Sequence, residues 1–371
     1  MKILFVLDSP YSWESGIWFH RNHLPSIGLQ ARGHGVKFMS VGGITPKDLL
    51  EYPDTVIFGR TYHPGSNPLE LLREWKNMGK RVLYDIDDDF WSVNPDNPSS
   101  LVSNAYKDQY EDFIRECDAV ITPSEVLKTK IQKLVKGKKV FICPNAIYYD
   151  FYQERRRQHD QLIIGYAGAA SHWKDLAIIG DVIGDLQKKH SFLFVLYGMT
   201  GSPLEGEMYK YSRILYQGLQ PEKAPYLQSA LDWYEKIKGL DLVHIPFYPP
   251  ELHPYKLQDA DLDIGLAPLY DCDFNKGKSC IKFYEYAAVG TVTLASDILP
   301  YSKEVNYCAK NTYKDWYKKL ERLIVDKKFR GSLLAKQQKW VKDNRSLDKM
   351  ALEWELAAQR PGGLPILMQQ K

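Results

Sequence analysis

A repeated alternation of short apolar strands with helical segments most limits how this chain of 371 residues can fold. Residues 3–7 (ILFVL) form an apolar run, a helical pattern covers residues 17–31, and a second run begins at Val36. The alternation continues to residue 143 and restarts at residues 162–168 (LIIGYAG), after a polar, aromatic and basic stretch. Strands that alternate with helices pair in parallel, so we predict an α/β fold with two doubly wound domains.

The change in composition near residue 150 sets the predicted domain boundaries. We expect a first Rossmann-like domain over residues 1–150, a second over residues 151–345, and a C-terminal helix and tail over residues 346–371.

Composition excludes several classes of protein. The net charge of +3 argues against a protein that coats nucleic acid by bulk electrostatics, although a local basic patch remains open. The five cysteines are scattered without CxxC spacing, which indicates neither a disulfide framework nor a zinc site. No apolar run approaches the length of a membrane span or of a signal-peptide core. We therefore expect a cytoplasmic protein.

Residues 275–290 (NKGKSCIKFYEYAAVG) lie between two apolar runs and predict a loop and a helix between parallel strands. Lys278, Lys282 and Glu285 are spaced i, i+4 and i+7, which places them on one face of a helix whose first turn holds Lys278. A helix N-terminus with nearby lysines suits a diphosphate. An ionised carboxylate accepts hydrogen bonds from a pair of sugar hydroxyls. Together these residues predict a nucleotide site.

An acidic cluster at residues 84–91 (YDIDDDFW) follows another predicted strand. Ligands of parallel sheets bind at the carboxyl ends of strands, so the cluster should face a cleft. Three interpretations stay open: an acceptor site where an aspartate orients or deprotonates a hydroxyl, a metal site of hard oxygen ligands, or a cap on the following helix. The loop that ends at Gly16, with His20 behind it, lies at the same edge. It lacks GxGxxG, which argues against a dinucleotide cofactor.

Several motifs, in order along the chain, resemble those of the GT-B glycosyltransferases, specifically the large retaining family 4. Residues 32–36 (RGHGV) resemble its RGHxV, residues 117–124 (CDAVITPS) its ADxVIxxS strand, and residues 143–150 (CPNAIYYD) its PNGxD hinge. Residues 164–168 (IGYAG), six residues before Lys174, resemble its glycine loop and lysine, and residues 275–290 its donor-binding helix. Three positions depart from the pattern: Gly277 replaces the first of two glutamates, Ala169 an arginine, and Ala146 the hinge glycine.

This resemblance implies two domains that face each other across a cleft, and transfer of a sugar from a UDP- or GDP-sugar with retention at the anomeric carbon. It implies no tightly bound cofactor and no general need for a metal ion. The C-terminal segment would brace the first domain. The donor-binding residues would be Gly168, Lys174, His244, Phe247, Tyr248, Lys278, Ser279, Lys282 and Glu285. The catalytic residues would be Asp87, Asp88 and Lys174, and the acceptor side would comprise Gly16, His20, Asp85, Asp87, Asp88 and Asp89.

The sequence leaves open which acceptor is used and whether the protein catalyses sugar transfer at all. A glycan or lipid precursor is the first expectation, and a hydroxymethylated base in viral DNA is an alternative for which Arg155, Arg156 and Arg157 offer weak support. Peripheral membrane contact through the C-terminal amphipathic run is a further option. A non-catalytic nucleotide-sugar-binding protein is the alternative of a different class, because the first glutamate and the arginine are absent.

Overall fold

The structure is a computed structural model of the chain. It describes residues 1–7, 15–41, 47–60, 68–95, 97, 100–152, 160–169, 172–198, 233, 235–237, 239–246 and 248–360. The predicted contacts of Phe247 and of residues 155–157 therefore lie outside the described residues.

The first sheet has six parallel strands in the order β2-β1-β3-β4-β5-β6. Every residue of β3, β4 and β5 is buried, which is typical of a parallel sheet covered by helices on both faces. The elements are β1 (Lys2–Leu7), α1 (Gly16–Trp18), α2 (Leu24–Ala31), β2 (Gly35–Ser40), α3 (Lys47–Glu51), β3 (Thr55–Phe58), α4 (Pro68–Asn77), β4 (Arg81–Asp85), α5 (Ser100–Glu116), β5 (Ala119–Thr122), α6 (Glu125–Leu134) and β6 (Val140–Ile142).

The second sheet also has six parallel strands, in the order β12-β11-β10-β7-β8-β9. The predicted α/β fold with two doubly wound sheets is thus confirmed. Its elements are β7 (Leu162–Ala167), α7 (Trp173–Leu176), α8 (Gly180–Lys189), β8 (Phe192–Tyr197), β9 (Leu242–Ile245), α9 (His253–Asp259), β10 (Ile264–Ala267), α10 (Asp273–Lys276), α11 (Ile281–Ala288), β11 (Val292–Ser296), α12 (Tyr301–Glu304), β12 (Cys308–Ala309), α13 (Tyr313–Val325), α14 (Lys327–Arg345) and α15 (Leu347–Ala358).

The helix predicted as continuous over residues 17–31 contains a π-helical turn, Phe19–His23, between α1 and α2. The predicted helical segment is thus present, with one π turn within it. A π turn inserts an extra residue and rotates the side chains on either side of it relative to one another. Here it carries His20 and Arg21, both of which contact residues of the cleft.

Helix α15 packs on the first sheet although it follows the second along the chain. Trp354 lies in one core cluster with Phe5, Ile57 and Leu83 of β1, β3 and β4. Arg81 Nε and Nη2 donate to the carbonyl of Ala357 at 3.2 and 3.0 Å, and a cation is favourable at a helix C-terminus. The C-terminal helix is thus built into the first half of the molecule. Among the described residues, no helix is long and apolar enough to cross a membrane.

We predict that Trp354→Ala lowers the free energy of unfolding by about 3–5 kcal/mol, because it empties a buried indole site beside Phe5 and Arg21. Urea unfolding followed by circular dichroism measures this. The matched control is Leu352→Ala on the same helix, whose side chain is 38% exposed and whose truncation should change stability by less than about 0.5 kcal/mol. Equal losses in the two variants would contradict the docking of α15.

Candidate functional site

The carboxyl ends of the two sheets face each other, and side chains from both sides meet there. Lys278 Nζ lies 3.5 Å from Asp88 Oδ1 across the cleft. Ser124 Oγ donates to the carbonyl of Gly277 at 2.9 Å. These contacts bring the acidic cluster of the first sheet against the loop that precedes α11.

Helix α11 begins at Ile281, so Lys278 is not in its first turn. The short helix α10 ends at Lys276, and Lys278 lies in the loop between the two, with its ammonium 4.4 Å from the ring centroid of Phe274. The prediction that Lys278, Lys282 and Glu285 share one helical face was therefore wrong for Lys278. Its ammonium points across the cleft, whereas Lys282 and Glu285 lie on the helix.

The glycine loop after β7 lies against Lys282. The Gly168 N–H donates to the carbonyl of Tyr197 at 2.9 Å, which fixes the loop to the end of β8. A Cβ at Gly168 would lie 2.5 Å from Tyr166 Oη and 2.9 Å from Lys282 Cε, so a side chain there would displace the ends of Tyr166 and Lys282. Burial, and next the charge of Lys278, lower the pKa of Lys282 to about 8. The two lysines therefore form a positive site beside the loop.

Lys174 is oriented away from that pair. Its ammonium lies 4.0 Å from the ring centroid of Tyr270. Both residues line a small cavity of about 30 Å³ whose opposite wall includes Asn94 and Asn97. The next residue, Asp175, is buried and accepts hydrogen bonds from the Tyr270 N–H at 2.6 Å and Asn275 Nδ2 at 3.0 Å. The predicted contact of Lys174 with a diphosphate remains a prediction.

The Glu285 carboxylate is buried at the centre of the cleft. Its Oε1 accepts a hydrogen bond from Tyr152 Oη at 3.2 Å, and it lies 3.2 Å from His253 Nε2 and 3.4 Å from His20 Nε2. Burial alone would raise the pKa of Glu285, but the charge and hydrogen bonds of His253 and His20 outweigh it and lower the pKa. The carboxylate is ionised, and of the described residues none contacts Oε2.

The predicted nucleobase segment lies at the edge of the second sheet. His244 is half-buried on β9, opposite Leu196 of β8. Tyr248 is half-buried against the core, with Lys256 Nζ 5.1 Å from its ring centroid. Phe247 lies outside the described residues.

The four aspartates of the acidic cluster have different environments. Asp85 pairs with Arg21 and is buried, and Asp89 is buried against Lys130 Nζ at 2.8 Å. Asp88 forms the bridge to Lys278. Asp85 and Asp89 are thus engaged within their own half of the molecule, which leaves Asp87 and Asp88 to face the cleft.

Asp87 has the most perturbed environment of the cluster. Its Oδ1 is buried and has no hydrogen-bond partner among the described residues. Burial raises the pKa of Asp87 to about 6, Asp88 is the next cause, and Arg60 opposes the shift. A carboxyl group with this pKa is suited to proton transfer near neutral pH.

Of the two remaining acceptor-side candidates, His20 contacts a residue of the second half of the molecule. Gly16 is the first residue of α1, and a Cβ built there meets no atom within 4 Å. His20 is turned toward Glu285 by the π turn.

Arg21 was not predicted from the sequence. Its Nε and Nη2 donate to the two oxygens of Asp85 at 3.1 and 2.5 Å, and its Nη1 donates to the Cys143 carbonyl at 2.6 Å and Asn145 Oδ1 at 3.0 Å. Asn145 Nδ2 in turn donates to Ser279 Oγ at 2.9 Å, on the donor-side loop. In the sequence, this network was marked only by Asn145, which belongs to the predicted hinge motif.

The other residues that sequence reasoning missed are His253 and Tyr152. His253 is at the start of α9, where its Nδ1 is 3.0 Å from Tyr197 Oη and its ring stacks on that of Tyr197. No local motif marks either residue, because each is more than 30 positions from Glu285. Among the described residues, no group of three or more His, Cys, Asp or Glu side chains is arranged to hold a metal ion.

Solved structures share this architecture over their whole length. HepE from Anabaena, solved with UDP and glucose, aligns with a TM-score of 0.62 and 12% identity over 96% of this chain and 99% of its own. Trehalose-6-phosphate synthase OtsA aligns with a TM-score of 0.64 and 11% identity, over 98% of this chain and 100% of its own. The chain has the GT-B fold.

A third neighbour is an alpha-glucosyltransferase in complex with UDP-glucose and DNA containing an abasic site, with a TM-score of 0.61, 12% identity, and coverage of 96% of this chain and 98% of its own. The sequence itself matches no protein-family model and no curated protein. The predicted GT-B architecture is confirmed, while membership of family 4 rests on the motif resemblance.

We predict that Arg21→Met lowers the free energy of unfolding by about 3–5 kcal/mol, because it leaves the buried Asp85 carboxylate unpaired. The double variant Arg21→Met/Asp85→Leu should cost less than the sum of the two single variants, by about 0.5–3 kcal/mol. Chemical unfolding of all four proteins completes the cycle. Arg73→Met, which removes the exposed partner of Glu116, is the control and should have little effect. Additive losses would show that Arg21 and Asp85 are not coupled.

Proposed function

We propose that the protein transfers a glycosyl group from a nucleoside-diphosphate sugar, a UDP-sugar in the first instance, to a hydroxyl acceptor. The observation that carries the proposal is the pairing of Lys278 and Lys282 beside the Gly168 loop with the half-buried Asp87 across the cleft. The lysines suit a diphosphate and the aspartate suits a hydroxyl. The neighbours solved with UDP or UDP-glucose support the choice of donor.

On the donor side, Glu285 binds the ribose hydroxyls and the lysine pair binds the diphosphate. The three contacts on Oε1 hold the carboxylate in one orientation, and Oε2 accepts from the ribose. Lys278 and Lys282 stabilise the negative charge that develops on the phosphate as the glycosidic bond breaks. His244 and Tyr248 line the nucleobase side, and Ser279 holds the loop through Asn145.

On the acceptor side, Asp87 accepts a hydrogen bond from the incoming hydroxyl. The reaction proceeds with retention, as the family resemblance implies, and the leaving phosphate assists the hydroxyl on the same face of the sugar. Asp88 positions Lys278 through their ion pair. Asp85 has a supporting role through Arg21.

The acceptor is the hydroxyl group of a glycan or lipid precursor. A hydroxymethylated base in duplex DNA is the second candidate, and the observation in its favour is the structural neighbour that was solved with DNA. An acceptor screen with oligosaccharides, polyprenyl phosphates and hydroxymethylated duplex DNA, using radiolabelled UDP-glucose, separates these classes.

The first test of the donor site is Glu285→Ala. We expect it to weaken binding of UDP and of UDP-glucose by about 10- to 100-fold, because it removes an ionised acceptor from the ribose hydroxyls. Isothermal titration calorimetry with UDP, GDP, UDP-glucose and GDP-glucose measures the loss.

Glu285→Gln is the second variant, because it retains the size of the side chain beside Tyr152 and His253. The control is Glu321→Ala, which removes a surface carboxylate paired with Lys189. Unchanged nucleotide affinity in both Glu285 variants would overturn the site. Tight donor binding by the wild type without donor hydrolysis or transfer would instead support the non-catalytic alternative.

The pH dependence tests Asp87. Its raised pKa of about 6 predicts that kcat falls as pH decreases through 6, because protonation removes the negative charge that strengthens the hydrogen bond from the hydroxyl. Asp87→Asn should lower kcat by roughly 100- to 10,000-fold and leave donor affinity within about twofold. The matched control is Asp112→Asn, a surface aspartate paired with Arg115. A variant Asp87→Asn that retains the wild-type kcat excludes the role.

A further inference from the structure

His172 and Asp175 form a buried dyad beside the diphosphate-binding lysines. His172 Nδ1 lies 2.6 Å from Asp175 Oδ2, and the other carboxylate oxygen, Oδ1, accepts from the Tyr270 N–H and from Asn275 Nδ2. A carboxylate that accepts three hydrogen bonds is ionised, so the imidazole proton is on Nδ1. The Nε2 atom therefore carries a lone pair, and the one side-chain hydrogen bond that the described residues make to this ring is at Nδ1.

The imidazole of His172 lies near the lysines of the site. The ring of His172 meets the ring of Tyr166 edge-on, with 6.3 Å between centroids. Lys282 Nζ lies 5.4 Å from the centroid of that same Tyr166 ring. The charged groups that face His172 are thus Asp175 on α7, Lys282 on α11 and Lys278 on the preceding loop. A neutral imidazole is favoured here only as long as the lysines have no anion between them.

This inference rests on the proposed function. In the proposed reaction, the negative charge of the bound nucleotide increases when the sugar leaves it. The diphosphate of a sugar nucleotide carries two negative charges, which Lys278 and Lys282 balance. The nucleoside diphosphate that leaves carries up to three. His172, on which the charges of Lys282 and Lys278 act, is a further group in this site that can become a cation.

We propose that His172 binds the diphosphate of the donor through Nε2 and takes up a proton from solvent as the diphosphate enters. The resulting imidazolium keeps its Nδ1–H bond to Asp175 and donates its new Nε2–H to a phosphate oxygen. His172 is thereby a donor-binding residue that supplies the third positive charge when the nucleoside diphosphate departs. Asp175 is a positioning residue, since it holds the imidazole and stabilises its charged form.

The electrostatics of the ligand-free site agree with this geometry. Burial lowers the pKa of His172 to about 4, the charge of Lys282 is the next cause, and Asp175 opposes the shift. The imidazole is therefore neutral at pH 6.5 before the donor binds. An anion that screens the two lysines and accepts from Nε2 removes the repulsion and raises the pKa.

The experiment is isothermal titration calorimetry of the full chain with UDP-glucose at pH 6.5, in two buffers of different ionisation enthalpy. UDP-glucose has no phosphate proton that titrates there, and Lys282, with a pKa of about 8, is already charged. We expect the wild type to take up close to one proton per donor bound. His172→Gln should lose that uptake and bind about 10- to 100-fold more weakly.

Two further variants distinguish proton uptake from a purely structural role. Asp175→Asn retains an acceptor for Tyr270 and should reduce the proton uptake even where His172→Gln fails to fold. His190→Gln, which removes a histidine paired with Glu321 at the end of α8, is the matched control and should retain wild-type uptake.

The outcomes separate this inference from the proposed function. Wild-type binding of UDP-glucose without proton uptake overturns the role of His172 and leaves the glycosyltransferase proposal standing. The same holds if His172→Gln retains both uptake and affinity. Failure of the wild type to bind any of the four nucleotides in the donor screen overturns both.

Discussion

The buried ion pair between Arg21 and Asp85 holds the cleft together. Arg21 has 1% of its surface exposed. Its three guanidinium nitrogens donate to the Asp85 carboxylate, the Cys143 carbonyl and the Asn145 side-chain oxygen. The face of the guanidinium lies 4.8 Å from the ring centroid of Trp354 on the C-terminal helix. Charge at this depth is tolerated because each guanidinium nitrogen has a hydrogen-bond partner, so the elements that supply those partners have little freedom to move apart.

The same network crosses from one half of the molecule to the other. Asn145 accepts from Arg21 with its oxygen and donates to Ser279 with its nitrogen, so one side chain links the end of β4 to the loop before α11. The chain also crosses back at this point, where the Ile147 N–H donates to the Arg345 carbonyl and Leu347 N–H returns to Ile147. The acidic cluster and the donor-side loop are therefore positioned by one continuous set of hydrogen bonds.

The absence of a side chain at residue 277 is part of that arrangement. A Cβ on Gly277 would lie 3.4 Å from Asp89 Cβ, so the loop backbone approaches the acidic cluster more closely than a longer side chain would allow. Ser124 Oγ reaches the Gly277 carbonyl in the same region. The residue that departs from the family pattern thus lies at a contact between the two halves, and Lys278, one position further on, is directed to Asp88.

The sequence was sufficient for features that depend on local periodicity and failed for those that depend on contacts distant in the chain. The strands are runs of buried residues, so their positions and the parallel pairing were predictable. Lys282 and Glu285 follow from helical spacing. Lys278 was misassigned because α10 and α11 are separated by a break that apolar spacing does not reveal. The π turn at Phe19–His23 breaks the 3.6-residue period, so nothing in the sequence assigned Arg21 to the cleft, whereas His20 was assigned to it from its place behind the loop that ends at Gly16.

The distribution of charge across the cleft explains why the two halves must be close for transfer to occur. The cations Lys278 and Lys282 belong to the second sheet, whereas the carboxylates that face them belong to the first. Each half alone concentrates like charge, which burial penalises, and this lowers the pKa of Lys282 while it raises the pKa of Asp87. In the proposed reaction, the bound diphosphate relieves the first penalty, and the incoming hydroxyl donates to the unpaired oxygen of Asp87. Under that proposal the two substrates stabilise opposite sides of one site.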